Sequence, residues 1–382
     1  MSARAERWLE LGARRWESEL SLTYSAALGE VRLHHAQGAS EVAGDDVWTV
    51  LRTFLDQGLT AAGYLGYACR RDLPAQPSAD VPDAVLLLCE GAPARTSTPG
   101  VETRPVHLGA GLAPRLARTS RAAPAAAAPR RRAVRVSTPG VPEEYERAFA
   151  QVQEALHAGD TYETNLTYRI TRTTQRTPEE IRAALEPTPY AGMLVHDVPG
   201  AAAWLIGASP ECFARIRDGV VQTKPIKGTT PRGDDPEQDR ANAELLRTEA
   251  RFRAENLMIT DLLRNDLAQV CEVGSVEVPR LMAVESYASV HQLVTTVCGR
   301  LRPGLDALDA VHALFPAGSM TGAPKRRTME LIDRVEAAPG LGGPRGAYAG
   351  AFGWISRDAA DLGVIIRSLT STDGHTWTLG TG

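Results

Sequence analysis

The segment ECFARIRDGVVQTKPI, Glu211 to Ile226, constrains the fold more than any other stretch of this chain. Apolar and polar residues alternate on both sides of Asp218-Gly219, the dipeptide favoured by a two-residue type I′ turn. Such a stretch folds back on itself as an antiparallel hairpin. Counting outward from the turn, position 217 pairs with 220 and position 211 with 226. Glu211 and Lys227 then share one open end, roughly 5–8 Å apart. Pro225 has no amide hydrogen to give a ladder, so that end reads as an edge or a bulge.

Other segments extend the pattern. Tyr145, Phe149, Val152 and Leu156 recur at i, i+4, i+7 and i+11 and predict a helix, with Gly159 as its stop. A long helix is predicted from about Asp235 to Asp266, with Pro236 in its first turn. Strands are predicted over SYASVHQLVTTVCG, GAYAGAFGWIS, LGVIIRSLTS and HTWTLG, the last two flanking a second Asp-Gly turn at Asp373-Gly374. Between them, FPAGSMTGAPKRRTMELIDRVE reads as a glycine-rich loop feeding a helix, with Pro324 near its first position. Strands and helices mix without βαβ alternation. That predicts an α+β fold with largely antiparallel sheets.

The patterning is uneven. Residues 113–135, APRLARTSRAAPAAAAPRRRAVR, are rich in Ala, Pro and Arg and low in complexity, as a solvated linker or surface loop would be. The expected organisation is therefore a divergent N-terminal part (1–112), a linker (113–138) and a strongly patterned region (139–382). A net charge of −4 gives no reason to expect nucleic acid or an anionic membrane as partner. No apolar run is long enough to span a bilayer, and the first residues have no secretory h-region. Cys69, Cys89, Cys212, Cys271 and Cys298 are odd in number and form no CxxC pair, which fits a reducing, cytoplasmic setting and makes zinc improbable.

Only three of the 42 basic side chains are lysines: Lys224, Lys227 and Lys325. Arginine stays protonated, whereas a desolvated lysine can lose its proton and attack. Lys227 follows an apolar strand and precedes Gly228-Thr229, whose backbone suits close approach of a ligand. It is either a salt-bridging strand-end lysine or a nucleophile. Glu211 is either an exposed strand-start acid or a general acid with its pKa raised in a dry site. Glu255 is a solvated helix residue or a ligand for Mg2+, which takes one or two carboxylates and keeps waters. Arg367 interrupts an apolar run and needs a carboxylate, from the protein or from a ligand. His291, in a β-patterned run, reads first as a satisfied core histidine. The loop before Pro324 is a weak anion-site signal.

Five ordered segments, GASPECF, KPIKGTTPRG, RAENLMITDLLRNDL, FPAGSMTGAPKRRTMELIDRVE and VIIRSLT, together resemble the chorismate-utilising enzymes over about residues 143–382. The N-terminal third is similar chiefly through GYLGY, Gly63 to Tyr67. The resemblance implies one large α+β domain of packed antiparallel sheets with outer helices. It implies Mg2+ holding a substrate carboxylate, with Glu255 as one ligand. It also implies Glu211 as the acid that assists departure of the ring hydroxyl and His291 as an active-site histidine. Tyr348 and Arg367 would hold the other carboxylate, and Gly228, Thr229 and Thr321 would line the pocket.

Within that family, lysine at 227 resembles the aminodeoxychorismate synthase branch. There the amine attacks the ring of chorismate and ammonia then displaces it. Anthranilate synthases usually carry alanine at that place. Water-using members carry a base lysine in the segment that reads GDTYETNL here, and Glu163 stands at its position. Ammonia is then the implied nucleophile, from a separate glutamine amidotransferase subunit, with a product serving folate or antibiotic formation. The tryptophan-binding segments of the family are not matched; WES, Trp16 to Ser18, is at best a remnant. Family members continue past WTLGTG into a helix that supplies a second Mg2+ glutamate, so the chain reads as truncated. The competing expectations are an anthranilate synthase component I or a related aminodeoxyisochorismate-forming enzyme, and, from another class, a non-catalytic remnant that binds a partner or chorismate.

Overall fold

The computed structural model describes residues 6–36, 38–91 and 141–382. The Ala/Pro/Arg-rich stretch at 113–138 lies outside them. The described residues form two large antiparallel sheets. The smaller has seven strands, with Tyr190–His196, Ala203–Ser209 and Ser368–Ser371 at its centre. The larger has twelve, and it joins the two ends of the sequence: Leu59–Leu65 pairs with Ala351–Ile355, Ala61 opposite Ile355. GYLGY thus enters the same sheet as the motif-bearing region.

Strand alternation places the core on both faces of the larger sheet. On one face, Ala62, Tyr64, Leu87 and Phe352 meet Leu9, Leu194 and Leu205 of the smaller sheet in a buried layer. On the other, Phe213, Ile216 and Val221 pack with Leu51, Ile259, Leu263, Val311 and Leu314 from helices Val47–Asp56, Ala250–Ala268 and Ala307–Leu314. The α+β class and the outer helices are as the sequence predicts.

The Asp218-Gly219 turn has both residues at positive φ, 51° and 72°, as type I′ requires. Arg217 pairs with Val220, as counted. The pairing then shifts: a bulge between Cys212 and Arg215 sets Cys212 opposite Lys224. The same place shifts against Ala360–Val364, so the extra residue belongs to the strand Cys212–Arg217 itself.

Three further elements depart from expectation. The long helix is two, Pro236–Thr248 and Ala250–Ala268, broken where Glu249 takes an extended conformation. LGVIIRSLTS is not one strand: Ala360–Val364 lies in the larger sheet and Ser368–Ser371 in the smaller. SYASVHQLVTTVCG contains a turn, with Glu277–Ser286 folding back onto Val290–Arg300. Helix Glu143–His157 forms as expected but buries Ala148, Val152 and Ala155, leaving Phe149 exposed. Its small residues allow close packing near Leu331 and Val335 of helix Lys325–Glu336.

Candidate active site

Two crossings between the sheets lie side by side and build the site. Strand Ala203–Ser209 leaves the smaller sheet, turns through Pro210-Glu211 and continues as Cys212–Arg217 in the larger. Ile365 to Arg367 makes the reverse crossing. Backbone bonds tie them together: Val364 N–H donates to Glu211 O at 3.0 Å and Ala208 N–H to Arg367 O at 3.2 Å. The turn carrying Tyr348 joins them through Ala349 N–H to Ile365 O, 2.9 Å.

Glu211 is 5% exposed. Ser319 Oγ donates to its Oε1 at 2.6 Å. Burial pushes the Glu211 pKa up to about 7; the Ser319 hydroxyl, the Lys227 charge and the Ile226 amide pull it back only in part. A carboxyl group so placed holds its proton near neutrality and can give it to a leaving group.

Lys227 approaches from strand Ile226–Pro231. Its Nζ lies 2.6 Å from Glu163 Oε1 and makes a long 3.5 Å contact with Ser319 O. Ser319 therefore touches the lysine with its carbonyl and the acid with its hydroxyl. Asn165 Nδ2 donates to the same carbonyl at 3.1 Å. Glu163 is seated by a two-residue ladder, Gly322 opposite Thr164 and Ala323 opposite Glu163. Gly322 has φ 145°, and a Cβ there would stand 1.9 Å from Glu163 O, so glycine is required. Burial raises the Glu163 pKa against the pull of Lys227, and the nearby Glu255 charge adds to the rise. Glu163 Oε2 is buried with no hydrogen-bond partner among the described residues.

The remaining candidates fall at different places. Gly228, φ 92°, is required by packing: a Cβ would meet Phe252 at 3.0 Å and Leu246 at 3.1 Å. Its free space is filled by helix side chains, not kept open for a ligand. Thr229 is exposed. Thr321 is buried, and its hydroxyl donates to Gly318 O at 3.2 Å, stabilising the loop that carries Ser319. Tyr348 is buried beside Arg169, whose guanidinium lies 5.5 Å from the ring centre. Arg367 is exposed at φ 50°, so the buried, partner-demanding guanidinium expected from its apolar neighbours is not found; the crossing turns the side chain outward.

His291 is buried with both ring nitrogens engaged, Nδ1 with Ser286 Oγ at 2.7 Å and Nε2 with Asp239 Oδ1 at 3.0 Å. Neither bond reaches Lys227 or Glu211. Alternation along the strand turns Gln292 to the opposite face, where its buried Oε1 has no hydrogen-bond partner among the described residues. Glu255 is partly exposed and accepts from Arg251 at 2.8 Å. Among the described residues no three His, Cys, Asp or Glu side chains gather to hold a metal ion. Glu255 by itself could offer Mg2+ one carboxylate, leaving the rest of the shell to substrate oxygens and waters.

Ser319 and Asn165 are the contacts that sequence reasoning missed. Both lie in conspicuous segments, GSMTG and GDTYETNL, but nothing local shows that the two segments pair.

A dry acid beside a lysine–carboxylate pair, set where two antiparallel sheets exchange strands, defines an enzyme-type site in an α+β shell. Residues 13–382 match the chorismate binding enzyme family, and the chain belongs to it. It is 46% identical over 243 residues to an aminodeoxychorismate synthase of Streptomyces pristinaespiralis, covering 62% of this chain and 32% of the relative. It is 35% identical over 372 residues to anthranilate synthase component 1 of Streptomyces coelicolor, covering 88% of this chain and 72% of the relative. The chain thus spans about a third of the length of the first relative. In fold it is similar to anthranilate synthase component I from Streptococcus pneumoniae, with TM-score 0.71 and 22% identity over 100% of this chain and 87% of the other.

Proposed function

We propose that this chain is the chorismate-aminating component of an aminodeoxychorismate synthase, forming 4-amino-4-deoxychorismate from chorismate and ammonia. The observation that carries the reading is Lys227 at 2.6 Å from Glu163, linked through Ser319 to Glu211. The Lys227 amine attacks the substrate ring. Glu211 gives its proton to the departing hydroxyl, which leaves as water. Ammonia then displaces the lysine nitrogen. A separate glutamine amidotransferase supplies the ammonia. Tyr348 and Arg367 lie on adjoining turns and are the proposed carboxylate holders. Thr321 shapes the loop between them and Ser319, while Gly228 and Thr229 set the backbone around Lys227. Glu255 would hold Mg2+, which when bound neutralises a substrate carboxylate. His291 is assigned to positioning the strand that carries Gln292. All five cysteines are free thiols, in keeping with a reducing, cytoplasmic setting. No helix among the described residues is long and apolar enough to cross a membrane.

The second reading, anthranilate formation, is favoured by the longer match to an anthranilate synthase. Product analysis separates them. With chorismate, Mg2+ and an ammonium salt, the expected product by mass and retention is 4-amino-4-deoxychorismate. Anthranilate with pyruvate release would overturn the assignment.

A further inference from the structure

The Lys227 ammonium must lose a proton before it can attack, and Glu163 is the group placed to receive it. We propose that Glu163 is the base of the reaction: it takes the Lys227 proton before attack and keeps it until the lysine is released. The proposal rests on the lysine-linked reading above.

Three observations carry it. Glu163 Oε1 lies 2.6 Å from Lys227 Nζ, within reach for direct transfer. The carboxylate is enclosed, with 12% of its side chain exposed, so bulk water does not readily compete for the proton. Its second oxygen, Oε2, is buried and makes no hydrogen bond among the described residues. A proton acceptor uses it: a proton resting on Oε2 leaves the amine lone pair free to face the substrate. The other titratable groups facing this pair are Glu211, from the crossing, on which the Lys227 charge acts, and Glu255, from helix Ala250–Ala268, which acts on Glu163. Both are carboxyl groups, and Glu211 holds its proton near neutrality, which leaves Glu163 as the acceptor in contact with the amine.

The step balances. Proton transfer gives a neutral lysine amine and a neutral Glu163. The amine lone pair forms the C–N bond, the ring double bond shifts, and the C–O bond breaks with its pair going to oxygen. Glu211 protonates that oxygen, which leaves as water. When neutral ammonia attacks, the C–N bond to lysine breaks and its pair returns to the lysine nitrogen. Glu163 then returns the stored proton to Lys227. The product ammonium returns one proton to Glu211.

The experiment follows lysine-linked adduct formation by intact-protein mass, in full-length protein given chorismate and Mg2+ without ammonium, across a pH series. Wild type, Lys227→Ala, Glu163→Gln and Glu163→Asp are compared. Glu163→Gln keeps an acceptor oxygen and the side-chain volume but cannot take the proton. Its adduct formation is expected to fall about a hundredfold near neutral pH. The deficit relative to wild type should shrink as pH rises, because solvent then removes the proton. Glu163→Asp, which keeps a carboxylate, should retain more rate than Glu163→Gln. A Glu163→Gln rate equal to wild type, or a deficit constant across pH, overturns the base role. If wild type forms no Lys227-dependent adduct, the lysine-linked reading itself fails. Wild-type adduct with an unimpaired Glu163→Gln variant removes only the role of Glu163.

Discussion

Glu211 and Glu336 are both buried glutamates, 5% and 6% exposed, and the fold treats them in opposite ways. Glu336 ends helix Lys325–Glu336 between two arginines. Arg345 donates to Oε1 at 2.7 Å and to Oε2 at 3.0 Å, and Arg169 donates to Oε2 at 2.8 Å. Thr167 adds its amide and hydroxyl to Oε1 at 2.8 and 2.9 Å. Burial pushes the Glu336 pKa up, but Arg345 and Arg169 outweigh it and hold the group below its ordinary value. Among the described residues Glu211 has no arginine against it; one hydroxyl, one amide and a lysine already shared with Glu163 leave it near 7. Burial alone does not make a carboxyl group an acid catalyst. What does is burial with incomplete compensation, and the comparison separates a group that holds the fold from one that can move a proton.

The largest effect that would test this is on stability. Glu336→Gln leaves Arg169 and Arg345 buried without their counter-charge. The expected cost is about 3–5 kcal/mol in denaturant unfolding. A loss under about 1 kcal/mol would mean that the arginines find water or other partners, and the contrast with Glu211 would weaken.

Glu211→Gln should do the reverse. Activity is expected to fall by about 10²–10⁴-fold, because the amide cannot give the proton. Stability should hold or rise at neutral pH. For Glu211 the folded value of about 7 exceeds the ordinary 4.5, so its contribution is full below 4.5 and is lost as pH rises through 7. The loss is on the order of 3 kcal/mol. Glu211→Gln should abolish that decline in a series of unfolding curves, and wild-type kcat/KM should fall above about pH 7. Glu336, with a lowered value, contributes above its unfolded pKa and loses that contribution as pH falls through the folded one. Glu336→Gln should therefore flatten the acid side. Identical pH profiles for the two variants would break the distinction.

How much of this contrast was legible in the sequence follows from distance along the chain. The Asp218-Gly219 turn, Pro236 at a helix start and the helix after Pro324 are set by neighbours a few residues apart, and they appear where expected. Glu211 was also legible as an acid candidate, because a Ser-Pro turn ahead of an apolar strand places it at an element boundary. Glu336 was not, since it reads as an ordinary helix-end glutamate and its partner Arg169 lies 167 residues away. The bulge between Cys212 and Arg215 shows the same limit, since counting from a turn cannot reveal an extra residue that both neighbouring strands accommodate. The apolar neighbours of Arg367 imply burial, but the chain changes sheets there and the side chain is exposed. The three lysines each meet a carboxylate: Lys224 with Glu285, Lys227 with Glu163 and Lys325 with Asp266. Their rarity alone could not rank them. Lys325 is enclosed and also donates to Leu314 O at 2.9 Å, whereas Lys227 stands next to a second acid.

The smallest effect sharpens the comparison most finely. Ser319 Oγ donates to Glu211 at 2.6 Å and favours the ionised form, so it acts on Glu211 as a weaker version of the arginines on Glu336. Ser319→Ala removes that donor while leaving the Ser319 carbonyl facing Lys227 unchanged in kind. The alkaline limb of the kcat/KM profile should move to higher pH by roughly one unit, the equivalent of one charged hydrogen bond of ~1.5 kcal/mol. The plateau at lower pH should change little, since protonated Glu211 does not depend on the donor. A limb that moves to lower pH would show that Ser319 accepts from the acid instead of donating to it. Glu211 would then be kept protonated by a specific partner, and incomplete compensation would no longer be what distinguishes it from Glu336.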